Sequence, residues 1–102
     1  HNDQEYCGKL LRFFKAGSKF SLHYHIIKKE SWYVGKGAFD YIRLDTETGQ
    51  EITTTIFEGT CLTIERGSPH QLIALEDMSE IFEVSTEHFD EDSYRIRLGD
   101  TL

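Results

Sequence analysis

Turn-forming residues recur at short intervals along this chain and limit it to short secondary-structure elements. Several of these turns carry Gly, which supplies the positive φ that a tight turn needs. The turn segments are AGSK at 16–19, GKG at 35–37, DTETGQ at 45–50, EG at 58–59, RGSP at 66–69, EDMS at 76–79 and HFDED at 88–92. Because no stretch between them keeps a helical period over three turns, the elements are expected to be strands.

The segments between the turns have the composition and the alternation of β-strands. Residues 51–57 read EITTTIF and are rich in β-branched side chains, whereas residues 20–25 alternate in polarity. Strands are predicted at residues 6–15, 20–25, 30–35, 38–44, 51–57, 60–65, 71–75, 80–85 and 93–98. Many short strands with evenly spaced turns predict an all-β sandwich or barrel.

Length and composition limit the chain to one folded domain. It has 102 residues, of which 38% are hydrophobic and 13% aromatic, which is too apolar for a disordered chain. We therefore predict a single domain over residues 1–102. No apolar run approaches the roughly 20 residues of a membrane-spanning helix.

Charge and cysteine content narrow the classes of function. A net charge of −7 argues against binding to nucleic acid or to an anionic membrane, since both need a basic face. A small anionic ligand is still compatible, because a few basic groups in a pocket suffice. Cys7 and Cys61 lack the close spacing of a zinc site and are expected to be reduced thiols in a cytoplasmic protein, although a disulfide between them is an alternative.

Two histidines and a carboxylate stand close together in the segment GSKFSLHYHIIKKESWYVGKG at 17–37. His23 and His25 are two residues apart, so on a strand both point to the same face. A hairpin return would bring Glu30 to the same place. Two imidazole nitrogens and a carboxylate that converge are the beginning of a metal site, with ordinary hydrogen-bonded strand histidines as the alternative.

The spacing of these residues resembles a known family pattern. Gly17, His23, His25, Glu30 and Gly37, separated by five, one, four and six residues, resemble the first motif of the cupins. This resemblance implies a small antiparallel β-barrel of the jelly-roll type, also described as a double-stranded β-helix.

A second segment resembles the second cupin motif more loosely. Gly59 opens it, and Gly67 and His70 match the core in ERGSPH at 65–70, whereas Glu65 stands where the family usually has Pro and Ala74 where it often has Asn. The two motifs together imply one divalent metal ion, and the ligands they imply are His23, His25, Glu30 and His70. This mixed nitrogen and oxygen set suits Zn, Mn, Fe, Ni or Co without selecting among them, and it leaves open positions for water or substrate.

Within the cupins, FSLHYHIIKKESWYV is similar to a segment of type II phosphomannose isomerase domains. The matching positions are Ser21, Leu22, His25, Lys28, Glu30, Trp32 and Val34. His23 stands where those domains usually have Gln. GSPHQL at 67–72 and EVSTEHFDEDSYRI at 83–96 also resemble sugar-modifying cupins. The resemblance implies a sugar or sugar-phosphate isomerase; an iron-dependent dioxygenase and a non-catalytic sugar-binding protein are the alternatives.

Four further residues are candidates for the wall of the site. Glu83 lies in the apolar run IFEV and is either on the solvent face or a buried acid/base with a raised pKa. Arg12, inside LLRFF, either snorkels to solvent or lines a polar cavity where it binds substrate. Trp32 is expected in the core or the pocket wall, and Arg95 is a candidate for binding a substrate phosphate. The other basic residues considered for an anion are Lys15, Lys19, Lys28, Lys29, Arg43 and Arg66.

The opposite face of the second predicted strand suggests a subunit contact. Phe20, Leu22 and Tyr24 are expected to point away from the metal and, with Ile26 and Ile27, to contribute to a homodimer interface. Packing against a second sheet and a solvated face are the alternatives. The run EHFDED at 87–92 is interpreted as a solvated acidic turn rather than a second metal site.

Overall fold

A computed structural model describes residues 1–97 as β-strands joined by short turns. The strands are β1 (Cys7–Phe13), β2 (Leu22–Tyr24), β3 (Glu30–Lys36), β4 (Ala38–Leu44), β5 (Glu51–Phe57), β6 (Cys61–Ile64), β7 (His70–Ala74), β8 (Ser79–Ser85) and β9 (Tyr94–Arg97). A 3₁₀ turn at Asp90–Asp92 precedes β9. All nine predicted strands are found, with small shifts at their ends; Leu98, in the predicted ninth strand, lies outside the described residues.

The strands form two antiparallel sheets that face each other. One has the order β1-β8-β3-β6 and the other the order β5-β4-β7-β2-β9. Apart from the β4–β5 hairpin, neighbouring strands in these sheets are not consecutive in sequence, as in the pairing of β1 with β8, where Leu10 lies opposite Phe82. The predicted all-β jelly-roll architecture is confirmed, whereas one domain over residues 1–102 stays a prediction.

The hydrophobic core fills one end of the space between the sheets. Val34, Phe39, Leu72 and Ile81 have no exposed surface, and the Phe13 and Phe39 rings meet edge-to-face at 5.0 Å. Burying each such side chain contributes about 1.5–3 kcal/mol to folding. Strand alternation brings these side chains inward, and it also directs the polar residues of the site to the other end of the same interior.

Gly37 is the turn glycine whose replacement the structure tolerates least. It joins β3 to β4 with φ +75°, and a Cβ atom added there would lie 2.9 Å from Cβ of the fully buried Ser79. Both the backbone conformation and the contact with Ser79 therefore require glycine.

Apolar side chains also cross the outer face of the four-stranded sheet. Leu10, Phe82 and Tyr33 are direct neighbours on β1, β8 and β3 and are 44–48% exposed. In the part of the chain that the structure describes, no helix has the length and the apolar character needed to cross a membrane.

Candidate metal centre

The three histidines of the cupin motifs come together at one end of the barrel interior. His23 lies on β2, His25 follows that strand directly, and His70 begins β7. The β2–β7 pairing sets His23 directly opposite His70. One ligand atom from each of the three imidazoles lies within 4.8 Å of the others, which is a grouping that can hold a metal ion.

The orientation of each imidazole is set by a backbone carbonyl group. Nδ1 of His23 is 2.8 Å from the carbonyl oxygen of Ser21, and Nδ1 of His70 is 2.8 Å from that of Ser68. Nδ1 of His25 is 3.0 Å from the carbonyl oxygen of Asp92. Because a carbonyl oxygen only accepts, each Nδ1 carries the proton and donates it. Nε2 is thereby left as the nitrogen available to a metal. A hydrogen bond from the other ring nitrogen to a backbone carbonyl group is the usual outer contact of a metal-bound histidine.

Glu30, the first residue of β3, places its carboxylate against two of these nitrogens. Its Oε1 is 3.3 Å from Nε2 of His25, and its Oε2 is 3.3 Å from Nε2 of His70. Burial alone would raise the pKa of Glu30, but His25 and His70, in the form in which Nε2 carries a proton, together with the charge of Lys28, outweigh burial and lower that pKa. The carboxylate is therefore ionised at neutral pH.

The donor set fits a cation. Nε2 of His25, Nε2 of His70 and Oε2 of Glu30 are buried without a hydrogen-bond partner. Lone pairs that face one another in this way repel, and buried polar atoms without partners are costly. Burial and the neighbouring His70 and His25 lower the pKa of His23 to about 3, so its imidazole is neutral as a metal ligand must be.

Asp92 fixes the loop that follows His25. Its carboxylate accepts hydrogen bonds from the backbone N–H groups of Ile26, Ile27 and Lys28, at 2.9–3.2 Å. Burial would raise the pKa of Asp92, yet these three donors lower it overall. Asp92 is 2% exposed, so the interpretation of residues 87–92 as a wholly solvated acidic turn is wrong at this position.

The four predicted ligands line a cavity of about 400 Å³ between the sheets. That volume suits a small ligand. The wall includes two of the residues predicted to contact substrate, Trp32 and Arg95, and the predicted acid/base Glu83. Arg95 lies opposite His23 in the β2–β9 pairing.

Glu83 is buried and points into this cavity. Its side chain is 7% exposed. Of the two positions predicted for Glu83, the solvent face and a buried site, the structure therefore shows the buried one. The indole N–H of Trp32 donates to Oε1 of Glu83 at 3.2 Å, whereas Oε2 of Glu83 has no hydrogen-bond partner. Trp32, 2% exposed, is both core and cavity wall, and it occupies one oxygen of Glu83. The other oxygen makes no hydrogen bond, but it lies 3.6 Å from the ammonium group of Lys28 and 3.9 Å from that of Lys9.

Lys28 is the most unusual residue of the site. Its side chain is only 3% exposed, and its ammonium nitrogen is 2.7 Å from Oε1 of Glu30 and 3.6 Å from Oε2 of Glu83. It is also 3.2 Å from Nδ1 of His88. Lys28 belongs to the set of basic residues considered from sequence, but its position between two carboxylates was not predicted.

Two predictions about side-chain direction are wrong. Arg12 does not line the cavity: on β1, Lys9 and Leu11 face inward, and Arg12 on the outer face forms a salt bridge with Glu80 at 2.8 Å. Phe20, predicted to point away from the metal, lines the cavity, with its ring 5.0 Å from that of His23, because β2 begins only at Leu22.

Lys9, His88 and Asp92 are site residues that sequence reasoning missed. Lys9 and His88 line the cavity, and Lys9 lies 3.9 Å from Oε2 of Glu83. Lys9 shares a face of β1 with the buried Phe13, but the run LLRFF is apolar on both faces, so alternation alone does not show that this face is the inward one. His88 and Asp92 lie in an irregular segment, where no periodicity gives a direction.

Comparison with solved structures identifies the fold. Oxalate decarboxylase from Bacillus subtilis matches over 91% of this chain with a TM-score of 0.79 and 23% identity, and the match spans 24% of that longer chain. KdgF from Halomonas sp. matches over 89% of this chain and 76% of its own, with a TM-score of 0.74 and 19% identity. Another structure of the Bacillus subtilis oxalate decarboxylase, an enzyme with Mn(II) centres, matches with a TM-score of 0.78, 23% identity and coverage of 92% of this chain and 25% of that one.

The protein is therefore a β-barrel of the cupin fold, as the two motifs predicted. The chain spans about a quarter of the length of the oxalate decarboxylase chains that it matches. No protein-family model matches it, and no curated protein matches it significantly.

Proposed function

We propose that the protein is a metal-dependent isomerase of a sugar or sugar phosphate. The observation that carries this proposal is Glu83, a buried carboxylate whose Oε2 lacks a hydrogen-bond partner on the wall of the cavity that holds the histidine cluster. Aldose–ketose isomerisation moves a proton between neighbouring carbon atoms, and a carboxylate in such a position can accept and return it.

In this proposal His23, His25, His70 and Glu30 hold one divalent metal ion. The three Nε2 atoms and the Glu30 carboxylate are a nitrogen and oxygen donor set that suits Zn, Mn, Fe, Ni or Co. A bound metal supplies Lewis acidity, which polarises a substrate oxygen and makes the adjacent C–H group more acidic.

The remaining wall residues bind and orient the substrate. Arg95 is the proposed partner of a phosphate or another anionic group, because it lines the cavity beside His23 and offers a guanidinium fork. Trp32 and Phe20 give apolar surface against which a sugar ring can pack. Trp32 also keeps Oε1 of Glu83 occupied, so that Oε2 is the proton acceptor.

Proton exchange with solvent tests this assignment directly. Metal-loaded protein is incubated in D₂O with aldoses, ketoses and their phosphates, and NMR follows both isomerisation and deuterium incorporation next to the carbonyl. We expect turnover in the wild type and its loss in Glu83→Gln. The matched control is Glu80→Gln, on the same strand and also buried, but paired with Arg12 away from the cavity. No turnover with any of these substrates contradicts the isomerase.

The same protein samples test the two alternatives from sequence. Substrate-dependent oxygen uptake by the iron-loaded form would show that the protein is a dioxygenase and not an isomerase. Saturable sugar binding without turnover or deuterium exchange would show that the protein is a non-catalytic sugar-binding protein.

A homodimer and a cytoplasmic location complete the proposal. Of the residues proposed for the dimer interface, Ile26 and Ile27 are 56% and 53% exposed and are available for contact with a second subunit. Leu22 is buried and Phe20 faces the cavity, so neither supports the interface. Sedimentation equilibrium of the wild type and of an Ile26→Glu, Ile27→Glu double variant tests the dimer.

A further inference from the structure

Lys28 holds its three N–H donors in a site with three polar neighbours. Oε1 of Glu30, Oε2 of Glu83 and Nδ1 of His88 lie 2.7, 3.6 and 3.2 Å from its nitrogen. A lysine that is only 3% exposed needs such compensation, because an unpaired buried ammonium group is very costly. Contacts with these three neighbours, and not contacts with solvent, therefore fix the position of the Lys28 side chain.

This contact makes the two oxygens of Glu30 unequal. Oε1 is engaged by the Lys28 ammonium group at 2.7 Å, and Oε2 has no hydrogen-bond partner and lies 3.3 Å from Nε2 of His70. Each oxygen faces an unpartnered imidazole nitrogen, Oε1 that of His25 and Oε2 that of His70, but only Oε1 is engaged by Lys28. A cation among the histidines thus meets a carboxylate with one oxygen already engaged.

We propose that Lys28 is a positioning residue for the metal. Its ammonium group occupies Oε1 of Glu30 and leaves Oε2 as the one oxygen that this carboxylate offers to the metal. The inference rests on the proposed metal site and assigns to it a residue outside the ligand set. Lys28 also acts as a counter-ion for Glu30 and Glu83 in the metal-free protein.

The charge of Lys28 has opposite effects on the two states. Without metal it stabilises the fold, because it is the cation nearest to both buried carboxylates. With metal bound, the same positive charge repels the ion and weakens its binding. Replacing Lys28 by a neutral side chain of similar length should therefore destabilise the metal-free protein and strengthen metal binding.

The test compares Lys28→Met with Lys29→Met, each titrated with Co²⁺. Lys29 is the matched control, a neighbouring lysine that is 45% exposed and pairs with Glu65 at the surface. For Lys28→Met we expect a Co²⁺ Kd lower by about tenfold, a size typical of coupling between two sites. We also expect weaker visible absorption per bound Co²⁺, because Glu30 can then offer both oxygens and raise the coordination number. Lys29→Met should match the wild type in both its Co²⁺ Kd and its visible absorption per bound Co²⁺.

Thermal unfolding gives a third measurement. Metal-free Lys28→Met should unfold at a lower temperature than the wild type, and Co²⁺ should raise its unfolding temperature by more than it raises that of the wild type. A purely structural lysine would lower the unfolding temperature but leave the Co²⁺ spectrum and Kd unchanged, and that result overturns the proposal.

The outcomes separate this inference from the function on which it rests. A wild type that binds no Co²⁺, Zn²⁺ or Mn²⁺ overturns both. A wild type that binds Co²⁺, with a Lys28→Met variant of the same spectrum and Kd, overturns only the role of Lys28. If Lys28→Met does not fold without metal, we expect refolding in the presence of Co²⁺ to rescue it, and a failure of that rescue also counts against the proposal.

Discussion

Asp92 holds His25 through its backbone and the loop after His25 through its side chain. Its carbonyl oxygen accepts the Nδ1 proton of His25, and its carboxylate accepts the N–H groups of the next three residues. One residue of the C-terminal segment therefore controls both the direction of an imidazole and the path of the chain toward Glu30.

Removing the Asp92 carboxylate should destabilise the protein. Asp92→Ala leaves three backbone donors near His25 without their acceptor, and we expect a loss of roughly 2–4 kcal/mol in the free energy of unfolding. Urea denaturation at neutral pH measures it. Asp90→Ala is the control, since the Asp90 side chain is 98% exposed, and it should cost less than about 0.5 kcal/mol. Equal losses in the two variants would contradict the role of Asp92.

The same carboxylate should contribute to acid sensitivity. The pKa of Asp92 lies below its ordinary value of 3.8, so its stabilisation is complete above that pH and is lost as the pH falls through the lowered pKa. The stability difference between the wild type and Asp92→Asn should therefore narrow below about pH 4. A difference that stays constant from pH 6 to pH 3 would show that the charge of Asp92 is unimportant.

His23 should give the metal-free protein a second pH dependence. Its pKa is lowered from 6.5 to about 3, so the unfolded chain binds a proton between these values that the folded chain does not. Stability should therefore fall as the pH falls through this window, by at most about 1.4 kcal/mol per pH unit. Unfolding of chelator-treated protein between pH 6.5 and 4.5 measures the slope, which should be shallower in His23→Gln.

Loss of one histidine of the cluster should reduce the metal content. His25→Ala removes one of three converging Nε2 atoms, and we expect lower bound metal after dialysis together with a lower unfolding temperature of the metal-treated protein. His88→Ala is the control, because His88 also lines the cavity but is outside the three-histidine group. Unchanged metal stoichiometry in His25→Ala would refute its assignment as a ligand.

Arg95 and Arg12 should behave differently toward an anionic substrate. Arg95→Ala removes a cation from the cavity wall, and we expect KM for a sugar phosphate to rise about tenfold or more, consistent with a lost charge-assisted hydrogen bond. Arg12→Ala should leave KM unchanged, since Arg12 pairs with Glu80 outside the cavity. Steady-state kinetics with the phosphorylated and unphosphorylated sugar checks both.

Periodicity and spacing predicted the strands and the histidine cluster because both are local signals. Alternation along β3 gives the inward direction of Glu30, Trp32 and Val34 before any tertiary contact is known. The spacing from His23 to Glu30 then identifies most of the site, but the expected hairpin return is wrong, because β2 and β3 lie in opposite sheets. The inward direction of Glu83 was left open because the apolar run IFEV is compatible with either face.

Contacts between distant segments were not predictable. Lys28 and Asp92 are 64 residues apart, and their partnership depends on how the segment after β8 packs on the barrel. Arg12 was misplaced because the run LLRFF is apolar on both sides, so its alternation does not show which face is buried. Phe20 was misplaced because the residue precedes β2, where strand alternation does not yet apply.

The three imidazoles differ in what must happen during folding before each can be oriented. His23 and His70 each donate to a carbonyl group only two residues earlier, so a single short segment is enough to orient them. His25 donates to a carbonyl group 67 residues later, and its ring becomes fixed only when the C-terminal segment docks. A chain emerging from the ribosome therefore carries two nitrogens that nearby residues can orient, and the third is oriented only after Asp92 has been synthesised and its segment has docked on the barrel.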